Sequence, residues 1–192
     1  MAKKIFRFRI VLNGIIPPIW RLIEVDSGIT FYQFHLVIQE AMGWQGSHLH
    51  EFNSGNFRIG DTRDGANEFG DSPQWEERKK KIGQYFSKDI TRIDYTYDFG
   101  DNWEHTIMLE AIGNKKKAVK YPRCIDGERA CPPEDCGSSP GYYRLVEILS
   151  DSKHDEYEDM KMWAGDFEPE HFDREDATAG MRAPVDWSGD FK

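Results

Sequence analysis

The feature that most constrains the fold of this chain is a pair of alternating runs, one on each side of a short turn. Ile93, Tyr95 and Tyr97 alternate with polar residues before the turn, and a second alternating run extends from residue 103 to residue 110. Period-two alternation places one set of side chains on a single face of a β-strand. Two such runs around the glycine-containing turn at residues 99–102 predict an antiparallel β-hairpin.

The N-terminal segment predicts a second antiparallel pair. Its first run carries apolar residues at every second position, namely Phe6, Phe8, Ile10 and Leu12. A turn rich in Asn, Gly and Pro follows, and another apolar run extends from Ile19 to Val25. Because proline cannot donate a hydrogen bond to a strand ladder, the segment between the two runs is predicted to be a turn.

A helix is predicted to follow this pair of strands. Thr30 and Gln33 fit a capping box, and Gly43 fits the left-handed residue that ends a helix. Apolar residues recur at helical spacing between these two ends. Three more helical segments are predicted later in the chain, over residues 74–86, 139–149 and 155–163.

The order of these elements predicts the fold class. Strands lie early and helices lie late, without strand–helix–strand alternation. This order favours an α+β domain with a mainly antiparallel sheet, one early helix packed on it, and further helices clustered at the C-terminal end. Residues 1–172 are expected to form this single domain, and residues 173–192 are expected to form a loosely ordered acidic tail.

Charge is distributed unevenly along the chain. Residues 151–192 carry 13 acidic and 5 basic side chains, a net charge of −8, which leaves −1 of the total of −9 for the rest. A nonspecific nucleic-acid binder needs a basic surface, so that role is not expected. No apolar run reaches the ~20 residues that span a bilayer, and no export signal is visible. We therefore expect a cytoplasmic protein whose partner is a small molecule or a protein, with no membrane partner.

The three cysteines lie in one proline-rich loop: Cys124, Cys131 and Cys136. Zinc takes four tetrahedral N or S ligands, and the spacing of the last two cysteines is at the wide end of the usual range. A fourth ligand would come from His105, His154 or the pair Glu134-Asp135. A disulfide is not expected in a reducing compartment, and buried thiols also act as small apolar residues. The sequence is compatible with zinc as a cofactor but does not require any cofactor.

A second constellation combines histidines, carboxylates and an aromatic residue. Two histidines share one face of the predicted strand HLHEF, and acidic residues flank the predicted hairpin turn. Such side chains ligate metals or exchange protons where they converge. A binding groove is predicted from this strand, the turn and the cysteine loop, with six candidate residues: His48, His50, Asp98, Asp101, Trp103 and His105.

Four motifs occur in order along the chain, namely IPPIWR, GW…SHLHEF, YDFGDNWEH and YPRCIDGERACPPEDCG…GY. Together, from about Phe6 to Phe172, they resemble the plasmid open-reading-frame-three-like family first named from a root-inducing (Ri) plasmid. The resemblance implies a compact α+β domain in which these motifs form a common surface. The family is essentially uncharacterised, so the resemblance implies neither a reaction nor a ligand.

Three hypotheses about function follow. The leading one is a cytoplasmic binding or adaptor-type domain that uses the polar–aromatic groove without catalysing a reaction. The second is a metal-dependent enzyme that uses a cluster of His48, His50 and His105 with Asp98 or Asp101. The third is a DNA-associated protein of mobile elements, which would need a basic stripe on its surface. Phosphate-loop, dinucleotide, serine-hydrolase and zinc-protease motifs are missing from the sequence.

Overall fold

The computed structural model describes residues 4–62 and 74–183, and it confirms the α+β class. Within these residues eight strands form one sheet: β1 (Lys4–Leu12), β2 (Ile19–Asp26), β3 (His50–Asn53), β4 (Arg58–Gly60), β5 (Gln74–Glu76), β6 (Arg92–Tyr97), β7 (Trp103–Asn114) and β8 (Arg123–Glu128). Their order across the sheet is β5-β4-β3-β6-β7-β1-β2-β8. Neighbouring strands are antiparallel except for the parallel pair β4–β5.

The described residues also contain four α-helices: α1 (Phe31–Met42), α2 (Ser138–Ser150), α3 (Tyr157–Ala164) and α4 (Arg174–Gly180). The first helix packs its aromatic side chains on the sheet, and the other three follow β8. The sequence predicts α2 and α3 there but not α4. No helix in the described part of the chain is long and apolar enough to cross a membrane.

Both predicted antiparallel pairs are present, and alternation in the sequence determines which side chains are buried. Tyr97 pairs with Trp103 in the β6–β7 hairpin, and Phe8 pairs with Ile23 between β1 and β2. The residues that alternate with polar ones are fully buried on the face that α1 covers, among them Phe8, Ile10, Tyr95, Tyr97 and Ile107. Burial of this one face supplies the apolar driving force for the sheet and helix to pack.

The ends of α1 are those that the sequence predicts. The Thr30 hydroxyl accepts a hydrogen bond from the Gln33 backbone N–H, and the Gln33 side chain accepts one from the Thr30 N–H. Gly43 has a φ of 99°, the left-handed conformation that ends the helix. Local capping interactions therefore determine both boundaries of this helix.

The predicted helix over residues 74–86 is wrong. This segment forms β5 and two single-turn 3-10 helices, Glu77–Lys79 and Ile82–Gln84. Part of its backbone is bonded to a distant segment, since Ile82 N–H donates to Ile29 O at 3.0 Å and Gly83 N–H donates to Ser27 O at 2.9 Å. These long-range bonds interrupt the continuous i to i−4 pattern that an α-helix needs.

The expected loose tail also contains ordered structure. Helix α4 begins with a capping interaction in which the Asp173 carboxylate accepts the backbone N–H groups of Glu175 and Asp176. Ala177 and Met181 are buried, so this helix packs on the domain. The remainder of that tail, residues 184–192, lies outside the described residues.

Strand ends gather at two opposite ends of the sheet. The starts of β3 and β7 and the ends of β6 and β8 lie at one end, which we call the histidine end because His48 precedes β3 there. The start of β1, the end of β2, the end of β7 and the start of β8 lie at the other. We call it the lysine end because Lys4 and residues 115–117, all lysines, belong to it.

A buried guanidinium joins the sheet to the two segments that lead to the histidine end. Arg21 on β2 is 2% exposed, and its Nε donates to the carbonyl of Ala41 in the last turn of α1 at 2.7 Å. Its Nη atoms donate to the carbonyls of Glu128 at 2.9 Å and Arg129 at 2.8 Å. Among the described residues no carboxylate pairs with Arg21, so these carbonyls must compensate for its lost hydration.

Replacement of Arg21 by lysine should therefore destabilise the protein. A single ammonium cannot bond to the ends of both segments, and Arg21→Lys should lower the free energy of unfolding by about 2–4 kcal/mol. Urea denaturation measures this change. Arg9→Lys is the matched control, because Arg9 pairs with Glu110 at the partly exposed surface and its replacement should cost less than about 1 kcal/mol. Equal losses in the two variants would contradict the role given to Arg21.

Candidate functional site

Three chain segments meet at the histidine end. They are residues 43–49 between α1 and β3, the β6–β7 turn at residues 98–102, and the loop at residues 129–137 that follows β8. Each segment contributes at least one ionisable side chain to a cluster that we call the histidine site: His48, Asp98, Glu134 and Asp135.

The histidine site is centred on one imidazole nitrogen. His48 Nε2 lies 3.2 Å from Asp135 Oδ1, 3.7 Å from Glu134 Oε2 and 3.8 Å from Asp98 Oδ2. This nitrogen is a buried atom and has no hydrogen-bond partner among residues 4–62 and 74–183. Three carboxylates held this close together repel one another unless a cation lies between them. The arrangement therefore favours a cationic ligand.

Backbone hydrogen bonds lock the three segments together around this site. Asp98 N–H donates to Leu49 O at 2.9 Å, which ties the β6–β7 turn to the segment before β3. Gly137 N–H donates to Asp101 Oδ2 at 3.1 Å, which ties the 129–137 loop to the same turn. The positions of the site's side chains are therefore fixed by bonds outside the site itself.

The carboxylate of Glu134 is oriented by its other oxygen. Glu134 Oε1 accepts hydrogen bonds from the Gln45 backbone N–H and from the Tyr97 hydroxyl, each at 2.9 Å. Burial, together with the neighbouring carboxylate, raises the pKa of Tyr97, so this hydroxyl remains a donor at neutral pH. The second oxygen, Oε2, is the one that faces His48.

Two of the four site residues have a left-handed backbone. Asp98 has a φ of 55° and Asp135 a φ of 56°. Asp tolerates this conformation better than most residues because its short side chain bonds to the local backbone. In Asp98 that bond is observed, since Oδ1 accepts the Gly100 N–H at 2.9 Å and leaves Oδ2 directed toward His48.

The histidine site has the dimensions of a metal site. Ligand atoms of His48, Asp98 and Asp135 all lie within 4.8 Å of one another. Tetrahedral ligands about 2.1 Å from an ion are roughly 3.4 Å apart, close to the separations of 3.2 Å and 3.8 Å from His48 Nε2 to Asp135 and Asp98. Glu134 does not belong to this group of three, although its Oε2 lies 3.7 Å from His48 Nε2. One imidazole nitrogen with carboxylate oxygens is a donor set that suits divalent ions such as Zn²⁺ and Fe²⁺, and Mn²⁺ through the oxygens.

Two of the predicted imidazoles do not join this site. His50 Nε2 lies 2.6 Å from Glu77 Oε2, and the ring stacks on His35 with centroids 3.4 Å apart. His105 is fully buried on β7, where its Nδ1 lies 3.3 Å from the Tyr95 carbonyl. A metal-dependent enzyme with all three predicted histidines on one ion is therefore not favoured by the geometry.

The remaining groove candidates occupy different surroundings. Asp98 is part of the histidine site, and Asp101 supports it by holding the 129–137 loop. Trp103 is a core residue, 2% exposed, with its ring centroid 6.2 Å from that of Trp44. The six residues that the sequence groups together are therefore divided between the histidine site, its supporting bonds and the core.

The three cysteines are free thiols, of which Cys124 and Cys131 are buried and Cys136 is half-buried. In the described part of the chain, no thiol belongs to a group of three or more ligand atoms within 4.8 Å of one another. Burial raises the pKa of Cys131 to about 11, and burial with the nearby Asp101 carboxylate raises that of Cys136 to about 12. Zinc binds thiolates, so this environment does not favour the cysteine clip. What the cysteine loop brings to the site is Glu134 and Asp135.

The sequence does not predict the buried partner of His50. Glu77, which bonds to His50, is fully buried although it lies in a run of charged residues that reads as a solvated helix face. The sequence suggests Glu134 and Asp135 only as possible fourth ligands of a zinc ion bound by the cysteines. Glu134 and Asp135 follow His48 by about 86 positions, so the local sequence does not indicate that these residues lie close together.

Comparison with known proteins identifies the family. The family model described as plasmid pRiA4b ORF-3-like protein matches residues 4–176. The chain belongs to this family. A curated relative, the uncharacterised protein y4hQ of Sinorhizobium fredii, is 31% identical over 169 residues, which cover 86% of this chain and 83% of that protein.

A solved structure shows the same fold as this pRiA4b ORF-3-like protein. It is the crystal structure of a protein of unknown function from Methanosarcina mazei Go1, with 40% sequence identity and a TM-score of 0.82. The match covers 92% of this chain and 98% of that one. Neither of these two proteins has a stated activity.

Acid should destabilise the protein through its buried histidines. Burial lowers the pKa of His105 to about 4, whereas an unfolded histidine takes up its proton near pH 6.5. Between these values the unfolded state binds more protons, so the free energy of unfolding should fall by up to about 1.4 kcal/mol per pH unit as pH is lowered. Urea denaturation between about pH 7 and pH 4 measures the slope, and His105→Asn should reduce it. An unchanged slope in His105→Asn would contradict the role given to His105. His171→Ala, which replaces an exposed histidine, is the control and should keep the wild-type slope.

Proposed function

We propose that this protein is a binding domain whose ligand is a divalent metal ion held at the histidine site. The observation that carries the proposal is the convergence of three carboxylates, from two separate segments, on the unbonded Nε2 of His48 in a third. This proposal keeps the binding-domain hypothesis and assigns the metal to imidazole and carboxylate ligands in place of thiols.

The electrostatics of the site support a cation. The side chains of Asp98 and Glu134 are only 10% and 17% exposed, so water screens their mutual repulsion poorly. The side chain of Asp135 is 75% exposed and gives the site an open side through which an ion and its water ligands can enter. A bound divalent ion would offset the negative charge that the fold concentrates there.

Binding is a better match to this site than catalysis. His48 would serve as a ligand, and the other histidines of the predicted groove, His50 and His105, are directed into the core. The ion would instead connect residues 43–49, the β6–β7 turn and the 129–137 loop. A metal in this position would stabilise the surface that the three segments form, as a structural ligand does.

Metal titration tests the proposal. Metal-free protein should bind Zn²⁺ in about 1:1 stoichiometry by isothermal titration calorimetry, and His48→Ala should weaken binding by at least about tenfold because a direct ligand is lost. Zinc at about 100 times its dissociation constant should also raise the unfolding free energy of the wild-type protein by about 2.7 kcal/mol.

Two matched variants control for other zinc ligands. His171→Ala removes an exposed histidine, and Cys136→Ser removes the thiol next to Asp135. Both should bind Zn²⁺ like the wild-type protein. Loss of binding in Cys136→Ser with full binding in His48→Ala would refute the site and restore the cysteine interpretation.

The Tyr97 hydroxyl should affect metal affinity without contacting the metal. Tyr97→Phe removes the bond that orients Glu134, and such supporting bonds typically change metal affinity by about 10–100-fold. Tyr143→Phe is the control, since the Tyr143 hydroxyl bonds to the Ile16 backbone at the exposed surface. If calorimetry shows equal zinc affinities for the two variants, Glu134 does not bind the ion.

A further inference from the structure

The lysine end of the sheet carries basic side chains that the fold leaves unneutralised. Within residues 4–62 and 74–183, ion pairs are made by arginine and histidine side chains and none by a lysine. Six exposed lysines lie at this end: Lys4, Lys81, Lys115, Lys116, Lys117 and Lys120. The feature is therefore a concentration of free positive charge on a protein of net charge −9.

Hydrogen bonds show that these lysines belong to one surface. Lys4 Nζ donates to Asn114 Oδ1 at 2.7 Å, directly before Lys115 in the chain. Ser27 N–H donates to Lys4 O, and Gly83 N–H donates to Ser27 O, which brings the Lys81 segment to the start of β1. On the other side, Arg182 donates to the carbonyl of Lys120 at 2.7 Å.

The carboxylates at the histidine end are too far away to neutralise the lysine end. Strand β1 has nine residues, so at about 3.3 Å per residue the two ends are roughly 30 Å apart. That separation is several times the Debye length of about 8 Å at physiological ionic strength. The carboxylates of the histidine site therefore do not neutralise the six lysines.

An apolar pocket opens at the same end. It has a volume of about 120 Å³ and lies between α1, the end of β2 and the start of β8. Most of its lining is apolar, namely Val25, Ile29, Val37, Tyr121 and Pro122, with Asp26 and Gln33 as the polar members. Tyr121 directly follows Lys120, and Arg182 donates to Pro122 O at 2.8 Å, so basic groups border the pocket.

We infer that the lysine end is a docking surface for an acidic peptide segment of a partner protein, with one bulky apolar side chain of that segment seated in the pocket. Charge complementarity favours an acidic segment, because that segment would face six lysines that form no ion pair within the described residues. A concave apolar pocket of this volume suits a single side chain, since an apolar cavity of about 150 Å³ holds a benzene molecule. A flat lipid surface would not fill it.

The surface lacks the features of a nucleic-acid site. Its unpaired charges are mostly lysine ammonium groups, which act as point charges without the planar fork of arginine. Tyr121, the aromatic residue that follows Lys120, lines the apolar pocket, so in the described part of the chain its ring serves that pocket and not a base-stacking platform. An extended acidic peptide uses the charges and the pocket together.

Fluorescence anisotropy tests this inference with a labelled peptide of aspartate and glutamate residues around one central leucine. Lys116→Glu with Lys117→Glu should weaken binding at least about tenfold. Lys153→Glu with Lys161→Glu changes the net charge equally, at exposed positions in the acidic segment 151–192, and should have a much smaller effect. Ile29→Phe, which fills the pocket, and a peptide with serine in place of leucine should each weaken binding by about tenfold.

Several results would overturn the inference. Equal weakening by the two lysine pairs would show a general charge effect in place of a site. Equal binding of the leucine and serine peptides would show that the pocket takes no side chain. Tighter binding to vesicles containing phosphatidylserine, or to duplex DNA, than to the peptide would assign the surface to a different class of partner.

Discussion

The guanidinium of Arg21 fixes two chain segments at once, since its Nε holds the last turn of α1 and its Nη atoms hold the chain at the end of β8. Because no carboxylate in the described part of the chain pairs with this buried cation, it must keep these carbonyls, and losing them would leave its desolvation uncompensated. The segment that carries His48 begins just after Ala41, and the loop that carries Asp135 begins at Arg129. Both segments therefore start from fixed points, and hydrogen bonds between them complete the histidine site.

The antiparallel sheet also separates charge. The body of the chain, residues 1–150, has a net charge of only −1, which suggests a neutral surface. In the structure, carboxylates gather with His48 at one end, and lysines that form no ion pair with the described residues gather at the other. The nearly neutral net charge of residues 1–150 therefore combines two surfaces of opposite charge. A metal ion at one end and an acidic segment at the other are the ligands that these charges favour.

Local sequence signals predicted the elements whose interactions are local. Thr30 and Gly43 marked the ends of α1, and alternation marked the β6–β7 hairpin with its buried face. Residues 74–86 were mispredicted because their backbone partners lie in residues 27–31. The alternation of His48 and His50 suggested one shared face, yet β3 begins only at His50, so His48 lies in the preceding segment. Its approach to Asp135 depends on packing between distant segments, which no local pattern encodes.

The central claim is that an imidazole and carboxylates from three segments bind one divalent ion. X-ray absorption spectroscopy of the zinc-loaded protein tests this claim most directly, because it identifies the atoms bound to the metal. The account predicts a single imidazole nitrogen with oxygen ligands at about 2.0–2.2 Å and no sulfur. A sulfur shell at about 2.3 Å, or a set of three imidazoles, would contradict it.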